Sequence, residues 1–249
     1  MLSRRTAAVI GIVGLLLPLT SSFAQSPACR IDKETVAAAL GVKPLAGYLS
    51  LEAATCDAIT LGDDSIGFRL DKNSKKAYNG MRSEVAINFP FRQGDTVRYS
   101  WEMKFPAEFE SDTPLNRWWL VAQWHDQPDK RLNQSWADVV PGPPPVSLYL
   151  DERDGVLGLG IRSGGENKRS WAELPRGEWL KMSVTIHWSR ERDGEVALAV
   201  AGHPEFSSLV KGPNMRNDYQ HYLKFGQYRH PGITSSGEVT FRRVSITKL

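Results

Sequence analysis

Short runs of alternating apolar and polar residues recur along the chain, separated by turn residues, as in β-strands buried on one face. Ile66-Gly67-Phe68-Arg69-Leu70 alternates, and so does the run from Ser83 to Asn88. Val97 to Phe105 is longer, with Val97, Tyr99, Trp101, Met103 and Phe105 on one side and mostly polar residues on the other. Further strands are predicted over 118–124, 146–150, 156–161, 179–188, 196–200, 222–228 and 238–246. Gly62-Asp63-Asp64, Arg92-Gln93-Gly94-Asp95, Asp151 to Gly155, Ser163-Gly164-Gly165 and Arg190 to Gly194 punctuate them as turns. One helix is predicted, from Lys33 to Leu40, capped by Asp32 and ended by Gly41. Many short strands with almost no helix predict an all-β fold, a two-sheet antiparallel sandwich or jelly roll. Strand patterning resumes on both sides of Pro141-Gly142-Pro143-Pro144-Pro145, which places that stiff stretch in a loop at the sheet edges rather than in a linker.

The N-terminus changes what counts as the working chain. Arg4 and Arg5 precede an apolar run from Ala7 to Leu19, and Ser22-Phe23-Ala24 supplies small residues at a cleavage site. This is the layout of a secretory signal peptide over residues 1–24. Its apolar core is shorter than the roughly 20 residues a membrane span needs. Residues 25–249 are expected to form a single β-sandwich domain, periplasmic or secreted, monomeric and not inserted in a membrane.

Charge sets a further limit. Loss of Arg4 and Arg5 takes the basic residues from 31 to 29 against 28 acidic ones, and the net charge from +3 to +1. Such a balance gives no reason to expect nucleic acid or an anionic membrane as partner. An anionic ligand must be held by local basic residues. Cys29 and Cys56 both lie in the exported part, where a disulfide tying the N-terminal segment to the body is chemically allowed. Without clustered histidines they make a poor zinc set, and no cofactor is expected.

Three segments carry chemically capable polar residues inside strand patterns. Arg82 and Glu84 are two apart and share a strand face, while Val85 and Ile87 take the other. The plainer account of such a pair is a solvated ion pair. Gln123 and His125 likewise share a face, with Trp119 and Val121 continuing the row. The amide donates to carboxylates and the imidazole exchanges protons near neutral pH. The plainer account there is a packed core with a histidine at its rim. Tyr222, Lys224, Gly226 and Tyr228 form the third row. They make a poor core face and a sensible floor for a polar polymer, and Gly226 leaves room for another chain to approach the backbone. An edge strand with a solvated face is the alternative.

Arg82-Ser83-Glu84, Gln123-Trp124-His125 and Tyr222-Leu223-Lys224-Phe225-Gly226-Gln227-Tyr228 occur in the order seen in jelly-roll polysaccharide lyases. Over Ile66 to Leu249 the chain resembles the heparin lyase I and glucuronan lyase group, and it is similar to alginate lyases of the same architecture. The resemblance implies a concanavalin-like β-jelly roll and an endo-acting carbon–oxygen lyase for an anionic polysaccharide containing uronic acid. It also implies that Arg82 and Gln123 neutralise the uronate carboxylate, that His125 is a base or charge neutraliser, and that Tyr228 is the catalytic acid and in some members also the base. Lys224 is placed near the site, with Tyr222, Trp119, Glu84 and Arg229 as substrate-binding residues. Trp124 stands where alginate lyases favour a small aliphatic residue, and Val85 departs from their longer charged first motif. Both departures favour a glucuronan- or heparin-like substrate.

The residue set suits β-elimination. The proton on C5 of a uronate is a poor acid while the adjacent carboxylate is ionised, and donors aimed at that carboxylate stabilise the enolate as it forms. Tyr228, as a phenolate near Lys224 and Arg82, is the expected base for β-D-glucuronate, and His125 for uronates of the opposite C5 configuration. A glycoside hydrolase on the same fold would need two carboxylates facing across the cleft, and these strand faces offer only Glu84. A carbohydrate-binding sandwich without turnover would use the tryptophans and Tyr222 as its platform. Arg216, Lys211, Trp118 and Trp171 are candidates for outer subsites.

Overall fold

The computed structural model of the protein describes residues 33–41, 49–53, 55–77, 79–113, 115–170 and 172–249. The expected signal peptide, Asp32, Cys29 and Trp171 lie outside the described residues, as does the side chain of Cys56, and with them the expected disulfide. The helix α1 runs from Lys33 to Leu40. Gly41 ends it at φ +67°, its N–H donating to the Ala38 carbonyl at 3.0 Å. No helix among the described residues is long and apolar enough to cross a membrane.

The strands are β1 (Leu49–Ala53), β2 (Ile59–Leu61), β3 (Ile66–Leu70), β4 (Lys76–Ala77) and β5 (Gly80–Ile87). They continue with β6 (Thr96–Lys104), β7 (Trp119–His125), β8 (Val146–Arg153), β9 (Val156–Ser163) and β10 (Glu166–Arg169). The last are β11 (Leu180–His187), β12 (Glu195–Val200), β13 (Ser208–Lys211), β14 (Tyr222–Arg229) and β15 (Gly237–Lys248). They build two antiparallel sheets. The first has the order β1-β5-β14-β7-β8-β9-β10, with β4 beside β5, and the second β13-β12-β11-β6-β15-β3-β2. This is the two-sheet antiparallel sandwich that the alternation predicts, in the jelly-roll form that the resemblance implies. The proline stretch lies in the β7–β8 connection, as expected.

Inward side chains of the two sheets interdigitate. Phe225 of the first sheet lies 5.8 Å from Phe68 and 5.1 Å from Phe241 of the second, and Trp124 lies 5.2 Å from Tyr99. Each such aromatic contributes about 1.5–3 kcal/mol by leaving water, so this layer fixes how the sheets sit on one another. Two irregularities interrupt the first sheet. β7 carries a bulge between Leu120 and Ala122, and the β14–β7 register shifts between Phe225 and Tyr228.

Candidate active site

β5, β14 and β7 are consecutive in the first sheet, which brings the three polar motifs side by side. Ser83, Val85 and Ile87 point inward, Ser83 donating to the Ala58 carbonyl at 2.7 Å, so Arg82 and Glu84 point outward. Register places Arg82 opposite Tyr228 and Glu84 opposite Gly226. Lys224 faces Gln123, and Tyr222 faces His125. β1 adds a residue that the sequence motifs do not include: Glu52, opposite Glu84.

These groups form one connected network. Glu52 accepts from Arg82 at 2.5 Å and from Lys224 at 2.8 Å. Glu84 lies 3.2 Å from Arg82 Nε and accepts from Gln123 Nε2 at 2.6 Å. The Arg82 guanidinium stacks 4.2 Å from the Tyr228 ring, and the Lys224 ammonium sits 5.0 Å from the Tyr222 ring. Contacts therefore run without a break from Tyr228 through Arg82, Glu52, Lys224 and Tyr222 to His125, whose ring is 6.2 Å from that of Tyr222. Although outward-facing, Arg82, Glu84, Gln123 and Lys224 are at most 7% exposed. The polar side chains of this face are withdrawn from water.

Burial separates the two carboxylates. Desolvation raises the pKa of Glu84 and outweighs the opposing charges of Arg82 and Lys224. Burial also acts on Glu52, but there Lys224 and Arg82 win and hold it below the usual carboxylate range. The Tyr222 phenol is pushed up by burial, with Glu52 adding to the effect. Glu52 is thus the anion that the site's cations hold in the free protein.

His125 has a partner of its own. Its Nδ1 lies 2.9 Å from an Asp126 carboxylate oxygen and 3.0 Å from the Asp126 carbonyl. With Nδ1 donating, the neutral ring carries its lone pair on Nε2. Burial would raise the Asp126 pKa, but the hydrogen bond and charge of His125, helped by Arg216 and His221, bring it below its ordinary value. Asp126 directly follows the Gln123-Trp124-His125 motif, and a carboxylate next to a histidine was the signal available. Two exposed tryptophans flank the network. Trp118 packs 4.8 Å from Tyr228, and Trp136 packs 6.2 Å from Tyr222. Trp136 stands on a short 3₁₀ turn in the β7–β8 loop, where no strand periodicity marks it.

Several sequence expectations change. Trp119 and Val121 do not continue the row of Gln123 and His125. The bulge turns both Val121 and Ala122 inward, which reverses the alternation before it. Trp119 is a core residue at 2% exposure, donating from Nε1 to Gln227 at 3.1 Å, and offers no face to a sugar. Arg229 is not a substrate-binding residue either. β14 continues through it, which turns it inward and buries it fully, with its guanidinium 4.7 Å from the Trp119 ring. That burial pulls its pKa down to about 10. Gly226 serves the protein's own backbone rather than an incoming chain: at φ +130°, a Cβ there would lie 2.3 Å from the Ser83 carbonyl oxygen. Lys211 sits on an edge of the second sheet, exposed and 3.5 Å from Glu195. Arg216 packs against Asp126 and the Pro143 carbonyl, beside His125.

Comparison with known proteins bears on this arrangement. A glucuronan lyase from the fungus Trichoderma reesei superposes with a TM-score of 0.56 at 13% identity, over 83% of this chain and 89% of that one. A marine alginate lyase of polysaccharide lyase family 7 from Zobellia galactanivorans gives 0.57 at 14% identity, over 86% and 99%. An alginate lyase in complex with an alginate tetrasaccharide gives 0.51 at 12% identity, over 78% and 85%. At these identities the likeness establishes the jelly-roll fold. No curated protein sequence matches the chain. The profile described as "Polysaccharide lyase" matches residues 55–244, a span that includes all three motifs. The chain is a member of the polysaccharide lyase family.

Proposed function

We propose that the protein is an exported, endo-acting lyase that cleaves a uronic-acid-containing glycan by β-elimination, with a glucuronan- or heparin-like chain preferred over alginate. The observation that carries this reading is the unbroken contact network joining Tyr228, Arg82, Lys224, Tyr222 and His125 on one face. Arg82 and Lys224 already hold one carboxylate between them, that of Glu52, and the carboxylate of the bound uronate competes for the same donors. Gln123 adds a neutral donor. Glu84, its pKa raised by burial, is shared between Arg82 and the Gln123 amide.

Withdrawal of charge from the substrate carboxylate acidifies C5–H, and a donor of this kind supplies on the order of 3 kcal/mol of transition-state stabilisation. Tyr228, acting as a phenolate against the Arg82 guanidinium, takes the proton and becomes the neutral phenol. In β-D-glucuronate the C5 proton and the C4 oxygen leave from the same side, so the same phenol then protonates the departing oxygen. For uronates of opposite C5 configuration, His125 acts as base through Nε2, oriented by Asp126, and Tyr228 as acid. No water is consumed, and the new non-reducing end carries a C4–C5 double bond. Residues 1–24 provide the export signal, and residues 25–249 act as one unit. The test is growth of the ultraviolet absorbance of the unsaturated uronate when the protein meets glucuronan, heparin and alginate in turn. Glucuronan or heparin should give the faster rate, and folded protein that yields no unsaturated product from any of the three would overturn the reading.

A further inference from the structure

The polar row that contains Lys224 and Gln123 continues past the network just described. Register carries it from Gln123 to Ser147 on β8 and from Ser147 to Arg162 on β9. Arg162 lies on the outer side of β9, because its neighbour Ile161 is wholly buried in the core. Its side chain is partly buried and forms no hydrogen bond or ion pair with a described residue. The surrounding arginines differ in this respect: Arg82 pairs with Glu52, Arg169 and Arg153 with Asp151, and Arg216 with Asp126. Between Gln123 and Arg162 on this face stands Ser147, buried at 2% exposure, so Arg162 is the first cation beyond Gln123 in the row that water still reaches. Tyr149 borders this row, its ring lying over Gly160, where a Cβ would come within 2.3 Å of it.

Arg162 has no carboxylate of the described residues to pair with, and on the face proposed to hold the glycan a charge-assisted acceptor for its guanidinium comes from the ligand. Strands in a sheet lie about 4.8 Å apart, so Gln123 and Arg162, two strands apart, are separated by roughly 10 Å. That is about the length of two sugar rings in an extended 1,4-linked chain. We propose that Arg162 is a second acid-binding position, holding the carboxylate of the sugar two places from the one being cleaved. The inference rests on the lyase reading of the same face and sharpens it: the substrate carries uronic acid repeatedly, rather than as an isolated unit in a neutral glycan.

The experiment measures binding of unsulfated oligoglucuronates of two to six sugars by calorimetry, in the Tyr228→Phe protein with and without Arg162→Ala, beside sulfated heparin oligosaccharides of matched length. The expected result is a loss of about tenfold in affinity for the longer oligoglucuronates, little change for the disaccharide, and partial recovery with Arg162→Lys. In the otherwise native protein, Arg162→Ala should raise KM on long substrates without lowering kcat. Equal binding at every length with and without Arg162, equal loss at every length, or a loss confined to sulfated chains would each overturn the assignment. Absence of binding to any oligouronate overturns both readings. Length-dependent loss at Arg162, with no unsaturated product from the native protein, removes only the lyase.

Discussion

Each sheet turns a row of polar side chains outward, and the two rows have opposite relations to water. On the second sheet, Arg98, Ser100, Lys181, Ser183 and Thr185 alternate cleanly with buried Val97, Tyr99, Met182 and Val184, and all five remain partly or fully exposed. On the first, β5 is buried along its whole length and β14 nearly so, although half of their side chains point away from the core. Alternation alone does not distinguish these faces. Solvation does. Ion pairs taken out of water regain in their mutual contacts little more than their desolvation costs, so the partnered network of Arg82, Glu84, Gln123 and Lys224 adds little to stability for its size, and the row on the second sheet is neutral to it. That contrast is the reason for proposing that the first face does the chemistry.

The contrast breaks most visibly at Gly226. Gly226→Ala should lower unfolding free energy by about 3 kcal/mol or more in denaturant titration, since it adds positive-φ strain and drives a methyl group into the Ser83 carbonyl. Lys181→Ala on the second sheet should shift stability by less than about 0.5 kcal/mol. A Gly226→Ala protein as stable as the Lys181→Ala protein would mean that the first sheet is no more constrained than the second.

His221 tests the cost of burial through pH. Its Nδ1 faces the Tyr219 carbonyl at 2.9 Å, its Nε2 accepts from the Arg216 N–H at 3.3 Å, and burial lowers its pKa to about 4. The folded protein therefore binds this proton less readily than the unfolded chain, whose histidine titrates near 6.5. Stability from this source is complete above about pH 6.5 and is lost as pH falls toward 4, by roughly 3 kcal/mol. Replacing His221 by Gln should flatten that part of the profile in chemical unfolding at a series of pH values. An unchanged slope would contradict the burial argument.

The smallest effect is expected at Glu52. It is partly exposed and shares Arg82 and Lys224 with the incoming carboxylate, so Glu52→Gln should lower KM by roughly two- to fivefold and leave kcat close to its original value. A rise in KM would mean that Glu52 helps to hold the sugar instead of competing with it.

What the sequence disclosed follows from the same physics. Interior strands such as β6, β11 and β15 carry two bonded neighbours and a fully buried inner face, and their alternation was plain. β1 and β10, β2 and β13 are the four sheet edges, and none was predicted. An edge strand is short and needs only one partner, so its pattern is weak: Glu166-Asn167-Lys168-Arg169 has no apolar residue at all. Glu52 was missed because β1 was missed. The motif residues themselves were legible from types and order, but their facing was legible only where strands are regular. One extra residue at the β7 bulge moved Trp119 from the proposed sugar platform to the core, and one more residue of β14 buried Arg229. Asp126 and Trp136 act from loops, where no periodicity announces a direction.

The most direct test of the account compares turnover and binding in Tyr228→Phe. Removal of the phenolic oxygen should lower the rate of unsaturated product formation by about 10²–10⁴-fold, with affinity for the same uronate chain and unfolding temperature unchanged. Retained formation of the unsaturated product, or cleavage that yields saturated ends, would contradict the claim that this face removes a proton from C5 through Tyr228.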